Sequence, residues 1–440
     1  MAVQSTALWR AGPLGNNTNG GGYDPGISGA ATDYSQQNSA QAAGVNGSAT
    51  ATTTFIDLTA ASFTAAMIGN AMYITGGGST TGWYFVTAYT NSTTVTLDRS
   101  PGTVTGATWK LGGRWADWFT NPCGASTPLA QGNTVYALGS GIPNPSSYTY
   151  DYSISAGLTL NIGYGNGVTF ACDPATPNYK AAPDTTGGMP VTRFNFNGGG
   201  GTTPALANNE TAIFLTDMWM VGSASNAAGD IMFQTQAYTT AVANGCVFDQ
   251  LGQDIVFMSC DATFGYLSIV GGEAYSSSGG SGGGWAPFYT GNISSGGMTI
   301  VGCNIHNCVG NGLYLYTGQS GVVLIANTII AFNSGDGVYT GSSLVVQFHG
   351  CTIDGNGGNG INNLASTIFM DSNIISNHTG GGKYGITASS SQVFTYRDFT
   401  TYYGNTNDIG PNVLGGYMPH DTHGGSNPYV SQSTQNYTLI

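Results

Sequence analysis

The chain of 440 residues holds 70 glycines, only 7% charged residues, eight lysines and arginines together, and a net charge of −13. A disordered chain is charge-rich and poor in apolar residues, so this composition excludes one. It equally excludes a basic surface that tracks nucleic-acid phosphates. No apolar run approaches the roughly 18 residues of a membrane-spanning helix, so no membrane insertion is expected.

Residues 1–58 are rich in Ala, Ser, Thr, Gly, Gln and Asn without a sustained period. They are expected to form an extended arm, ordered against neighbouring subunits and serving for attachment. The opening "MAVQSTALWRAGPLG" has no basic stretch followed by an apolar core, so no secretory signal is expected. Residues 59–113 alternate apolar and polar positions through "MYI", "WYFV", "VTL" and "TWKL", with Gly, Asn and Pro turns between. That pattern predicts a small antiparallel β domain. Between 114 and 210, "GNTVYALGSG" and "GLTLNIGYGNGVTF" read as strand-turn-strand pieces that open a solenoid.

A repeat then appears. Ile305, Ile329, Ile353 and Ile374 follow one another at 24, 24 and 21 residues, each preceded by five positions by Ile300, Leu324, Phe348 or Phe369. A third column, Leu313, Val338, Ile361 and Ile386, stands directly after glycine each time. Phe394/Phe399 extend the pattern forwards, and Val270/Tyr275, Ala243/Phe248 and Phe214/Trp219 extend it backwards. The stretch "SSSGGSGGGW" reads as a loop inserted at one corner. Three apolar columns per turn of about 24 residues, cornered by Gly and Asn, predict an all-β chain built around a right-handed parallel β-helix over 114–400. The helix is preceded by the small antiparallel β domain and the extended arm. Residues 401–440 lose the period and are expected to cap the helix or run back along it.

Two positions before the isoleucine column stand Asp217, Cys246, Glu273, Cys303, Asn327, Cys351 and Ser372, which predicts an internal ladder at one corner. The seven cysteines, 123, 172, 246, 260, 303, 308 and 351, form no zinc-like set and are expected to be buried reduced thiols.

Catalytic chemistry is thinly represented. Cleavage of a glycan commonly needs two carboxylates roughly 5–10 Å apart. The chain has two glutamates, Glu210 and Glu273, and few aspartates on the helix, among them Asp249, Asp254, Asp336, Asp354 and Asp371. Asp249 and Asp354 share a corner four turns apart, roughly 19 Å, and His306 and Asp354 share it two turns apart, about 10 Å. If the chain is enzymatic, Glu273 and Asp249 are the first candidates; otherwise no catalytic residue is expected. "HDTH", His420 to His423, could bring two histidines to a metal but reads as surface or packing, so neither metal nor cofactor is expected. The N-x-[ST] sequons at Asn91 and Asn377 are those a Ser/Thr-rich chain carries by chance. Trp115 and Trp118 in "RWADWF" and "TYY" at 401–403 read as buried or interface aromatics before sugar platforms.

Taken together, "STALWR…NTNGGGYDPGISGAATDYSQQ", "AAMIGNAMYITGG…TTGWYFVTAYT…TVTLDRSPG" and the glycine-cornered turns resemble pectate-lyase-like right-handed β-helix virion proteins of tailed bacteriophages. That resemblance implies a virion structural protein, a capsid decoration or spike or a tail-associated fibre, and brings no catalytic motif with it. The alternatives are a glycan-degrading tailspike and a bacterial surface adhesin. Expected partners are copies of the chain in a homotrimer, other virion proteins of capsid or tail, and host-surface glycans.

Overall fold

The structure, a computed structural model, describes residues 6–116 apart from 13, 30 and 61, then 128–137 and short segments between 151 and 260. It also describes 265–439 apart from 277–285, 291–295, 317–320, 390–393, 414–415, 426 and 432–435. Glu210, Asp254, Trp118, Cys123 and most of the inserted loop after Ser276 lie outside the described residues. Between 114 and 210 the described strands are Thr134–Ala137, Asp151–Ile154, Leu158–Leu160, Val168–Cys172, Arg193–Phe196 and Leu206–Asn208. Among the described residues the chain is all-β without an α-helix, and no helix is long and apolar enough to cross a membrane. It divides into two compact units: Met1–Tyr152 with Leu158–Arg193 and Thr211–Met218, and Ser153–Gly157 with Phe194–Glu210 and Trp219–Ile440.

The first unit contains the small β domain. Strands β2 (Ala42–Thr50), β3 (Thr54–Ile56), β4 (Ala71–Thr75), β5 (Gly82–Asn91), β6 (Thr94–Leu97) and β7 (Thr103–Leu111) close into a barrel. Its interior is filled by the alternating apolar positions, among them Phe55, Met72, Ile74, Val86, Val95, Leu97, Trp109 and Leu111. The barrel takes in residues 42–58, which composition had placed in the arm. Small residues there hide a strand, because they fit beneath bulky neighbours. A Cβ on Gly44 would stand 2.3 Å from Asp57 Oδ2 and 2.6 Å from Trp109 Nε1.

The arm is packed within its own chain, contrary to the expectation that neighbours order it. Strand β1 (Leu8–Ala11) pairs in parallel with β8 (Thr134–Ala137), which pairs with Val168–Cys172. Trp9 is fully buried, stacks on Trp115 at 4.9 Å, and donates from Nε1 to Asn133 Oδ1 at 2.9 Å. Arg10 is bonded to Asp33 at 2.5 Å. The run Gly20–Gly22 is what lets the chain lie so close: a Cβ on Gly22 would meet the Trp9 ring at 2.6 Å. One tryptophan and one arginine thus order a segment with little apolar material of its own.

The second unit is a parallel β-helix, three strands to the turn. The first inward column runs Ala243, Ile269, Ile300, Ile325, Phe348, Met370 and Arg397 in register. The second runs Met220, Phe248, Ala274, Ile305, Ile330, Ile353, Ile375 and Tyr402. The third runs Phe288, Leu313, Val338, Ile361 and Ile386. The third column is as expected. In the first two, Val270, Leu324, Phe369, Trp219, Tyr275, Ile329 and Ile374 are one residue out of register and lie beside the buried position. Phe214 likewise yields to Leu215, which is buried in the first unit. Where two large apolar residues adjoin, hydropathy cannot tell which points inward, and a slip of one exchanges the faces.

The corners explain the glycine content. Gly245, Gly271, Gly302, Asn327, Gly350, Ser372 and Phe399 adopt φ between 49° and 65°, the left-handed conformation that glycine takes without strain. The residues after them, Cys246, Gly272, Cys303, Thr328, Cys351, Asn373 and Thr400, form the internal ladder. Of the expected ladder set, Asp217, Asn327 and Ser372 are instead left-handed corner residues, and Glu273 stands one place beyond Gly272. A second corner repeats the device: Asn307, Phe332, Gly355, Asn377 and Gly404, φ 52–63°, precede Cys308, Asn333, Asn356, His378 and Asn405. Each side chain in that second ladder serves the neighbouring turn. Asn333 Oδ1 accepts from Cys308 N at 3.0 Å, Asn356 Oδ1 from Asn333 N at 3.0 Å, and Asn405 Oδ1 from His378 N at 3.0 Å. Their amide nitrogens donate to the carbonyls of Ile305, Ile330 and Ile375.

After Phe399 the second sheet continues through Thr401–Tyr403 and Thr422–His423. Arg397 takes an inward position and pairs with Asp421 at 3.4 Å, both side chains fully buried. Asp421 also accepts from Thr400 N at 3.0 Å, ending the first ladder. The chain then returns as a hairpin of Tyr429–Ser431 and Asn436–Leu439, and Tyr429 Oη lies 2.8 Å from Ser376 Oγ. The tail both extends the helix and runs back over it.

Candidate functional site

In the second sheet, the residues either side of the buried column face outward. Glu273 lies in one such row and Tyr275, His306, Ala331, Asp354 and Ser376 in the other, the last four being register partners in turn. The two sequence candidates are brought to adjacent rungs, because Asp249 is the register partner of Tyr275. Glu273 pairs in register with Val247, and its bonded partner is a histidine. Its Oε1 lies 2.7 Å from His306 Nε2, and the Tyr275 ring stacks on that imidazole at 5.7 Å and 8°. Asn307 Nδ2 lies 3.0 Å from His306 Nδ1. An amide donor at Nδ1 places the imidazole proton on Nε2, aimed at the carboxylate. Glu273 Oε2 is buried without a hydrogen bond among the described residues.

Chemically this is a carboxylate holding an imidazole in one tautomer. Asp249 is 2% exposed, and its charge adds to the burial that raises the Cys308 thiol well above the usual range. A carboxylate so enclosed is poorly placed to meet a polymer.

His306 and Asp354 lie two rungs apart, with Ala331 between them, as their spacing indicated. Asp354 is fully buried and accepts from Ser376 Oγ and Asn377 Nδ2, both at 2.7 Å, beneath Tyr429. The Tyr429 phenol is pushed up by burial and by the Asp354 charge. His378, in the interior ladder, is pushed down to about 4 by burial, so it is neutral at neutral pH.

The histidines of "HDTH" go to different partners. His420 Nδ1 lies 2.8 Å from Asp398 Oδ2 and its ring stacks on Phe399, whereas His423 stacks on Tyr417 at 4.2 Å. No group of three potential metal ligands occurs among the described residues. The described cysteines 246, 303, 308 and 351 are buried, and Cys172 is partly buried. Burial pushes Cys351 to about 11 and raises Cys303 and Cys308, so these three thiols stay protonated. Trp115 and Tyr402 are fully buried.

Sequence reasoning passed over one feature. On the outward side of the third column, Tyr289, Tyr314 and Tyr339 are register partners on successive rungs. Tyr314 stacks on Tyr289 at 5.7 Å and on Tyr339 at 4.8 Å, and Tyr316, 41% exposed, lies parallel to it at 5.5 Å. The signal was present in "FYT", "LYLY" and "VYT", where tyrosine follows the column residue three turns running. Asp336 borders the row, accepting from Asn359 N at 2.6 Å and from Asn362 Nδ2 at 2.8 Å.

Residues 291–408 match the family described as right handed beta helix region. That span is about a quarter of the chain and takes in the ladder residues from Cys303 to Asn405. Among curated proteins none matches. The A-module of the mannuronan C-5 epimerase AlgE4 of Azotobacter vinelandii is 13% identical, with a TM-score of 0.27, over 66% of this chain and 91% of that one. The AlgE6 A-module of the same organism is 15% identical, TM-score 0.27, over 66% and 89%. The catalytic domain of a GH87 alpha-1,3-glucanase in complex with nigerose is 9% identical, TM-score 0.21, over 88% and 89%. Likeness at this level carries no argument about activity, and the chain stands as a β-helix protein by its own strand registers.

Proposed function

We propose that the chain is a structural protein of a tailed-phage virion, a stiff β-helix carried as a capsid decoration or spike or as a tail-associated fibre. The observation that carries the structural part is the use made of polar side chains. Along both corners of the helix they point inward and bond the backbone of the next turn, and Asp421 bonds the backbone likewise while Asp354 is held by the side chains of Ser376 and Asn377. The polar chemistry is invested in stiffness. The virion assignment rests on the resemblance of the N-terminal segments and glycine-cornered turns to phage β-helix proteins. Antibody labelling and peptide mass spectrometry of purified particles test it: many copies per virion are expected. Recovery from cell envelopes and not from particles contradicts it and favours a surface adhesin.

A glycan-degrading tailspike is the second reading, favoured by the Glu273–His306 pair with Asp249 on the adjoining rung. Incubation with host capsule or lipopolysaccharide, followed by assay of reducing ends and unsaturated sugars, separates the two. No turnover is expected from the wild-type chain. Turnover that falls a hundredfold or more in Glu273→Gln would establish the enzyme instead.

A further inference from the structure

We propose that the tyrosine face formed by Tyr289, Tyr314, Tyr316 and Tyr339, bordered by Asp336 and Asn362, is a binding strip for an extended neutral glycan lying along the helix axis. This goes beyond a structural role and does not depend on where the protein is carried. The rings are almost parallel, 10–13° apart, and their faces are largely taken up by one another. What they offer outward is a row of ring edges and phenol oxygens repeating with the rungs. Two rungs span roughly 10 Å, about the length of one disaccharide unit in an extended chain. Each phenol combines apolar area with a group that donates and accepts, and its short side chain loses little conformational freedom on binding. A polyol with apolar C–H patches matches that surface.

The charge pattern selects the class. Asp336 is the charged group bonded into this border, and the chain carries −13 overall. An acidic polysaccharide would meet like charge at Asp336. Asn359 and Asn362 already hold the Asp336 carboxylate in position, which leaves it able to accept from a sugar hydroxyl through its remaining lone pairs. Burial and the neighbouring phenols push Tyr314 up to about 12, and burial with the neighbouring Tyr316 and Asp336 raises Tyr339, so these two hydroxyls remain donors at neutral pH.

The test is affinity electrophoresis of the full chain through gels holding dextran, mixed-linkage β-glucan, galactomannan or alginate. Retardation by at least one neutral polymer is expected. It should fall about fivefold in Tyr314→Phe, which keeps the stack and removes one hydroxyl, and in Tyr316→Ser at the exposed border. Tyr266→Ser, exposed on a different strand column, should migrate as wild type; thermal unfolding checks that each variant folds. Absence of retardation in every neutral gel, retardation by alginate alone, or retardation unchanged in both strip variants would overturn the proposal. Particle location is measured separately, so this inference and the virion reading can fail independently.

Discussion

Asn356 serves four groups at once: its Oδ1 accepts from the main-chain and side-chain nitrogens of Asn333, while its Nδ2 reaches Ile330 O at 3.1 Å and His378 Nε2 at 3.3 Å. Asn356→Ala should therefore leave a buried backbone N–H and carbonyl without partners, at a cost of about 2–4 kcal/mol. Denaturant unfolding measures it. His378 belongs to the same ladder, and burial lowers its folded pKa to about 4 from an ordinary 6.5. The unfolded chain then binds a proton that the folded chain refuses. The contribution of this group is fully present above pH 6.5 and is lost progressively as the pH falls from 6.5 towards 4. His378→Asn should flatten the stability profile in that window, which unfolding at a series of pH values reads directly. Asp57 acts in a lower window. Burial opposes its ionisation, but bonds from Trp109, Ala60 and Thr59 outweigh that and hold it at about 2, so its contribution is lost only as pH falls through about 4 to 2. Neither ladder asparagine nor ladder histidine announced itself in the sequence, because asparagine next to glycine is also what any polar turn looks like.

At the scale of the strand, legibility depended on neighbours. Leu313, Val338, Ile361 and Ile386 each follow glycine, so the inward position in that column had one apolar claimant and was read correctly. "LIA", "II" and "FM" offered two claimants at 324–325, 329–330, 369–370 and 374–375, and the sequence reading took the first of each pair where the second points inward. Unequal corner lengths shift the count by a residue, and only the backbone register resolves it. The difference is measurable. Ile330 is fully buried and Ile329 lies beside the core. Ile330→Ala should cost about 2–5 kcal/mol, and Ile329→Ala about 1 kcal/mol or less. Equal costs, or the reverse order, would argue against the register. The Glu273–His306 pair was missed for a related reason: its partners come from successive turns 33 residues apart, and contacts across rungs of uneven length are not written in local spacing.

For the whole molecule, a chain with few charges has little repulsion to keep copies apart, and closed symmetry would avoid open-ended association. A homotrimer is the assembly we propose, with light scattering on the isolated protein as its measure; a stable monomer speaks against it. The arm no longer supports that argument, since Trp9, Arg10 and the Gly20–Gly22 run order it within one chain. Limited proteolysis should accordingly spare residues 6–41 even in dilute protein, and Trp9→Ala should expose them. The central claim is that side-chain ladders lock turn to turn. Native-state hydrogen exchange tests it most directly, at the amides of Cys308, Asn333, Cys351 and His378, each of which donates to a side chain of the next turn. These four should exchange only through global unfolding and together, at one common free energy. Exchange at the rate of exposed corners, or at four unrelated rates, would contradict the account.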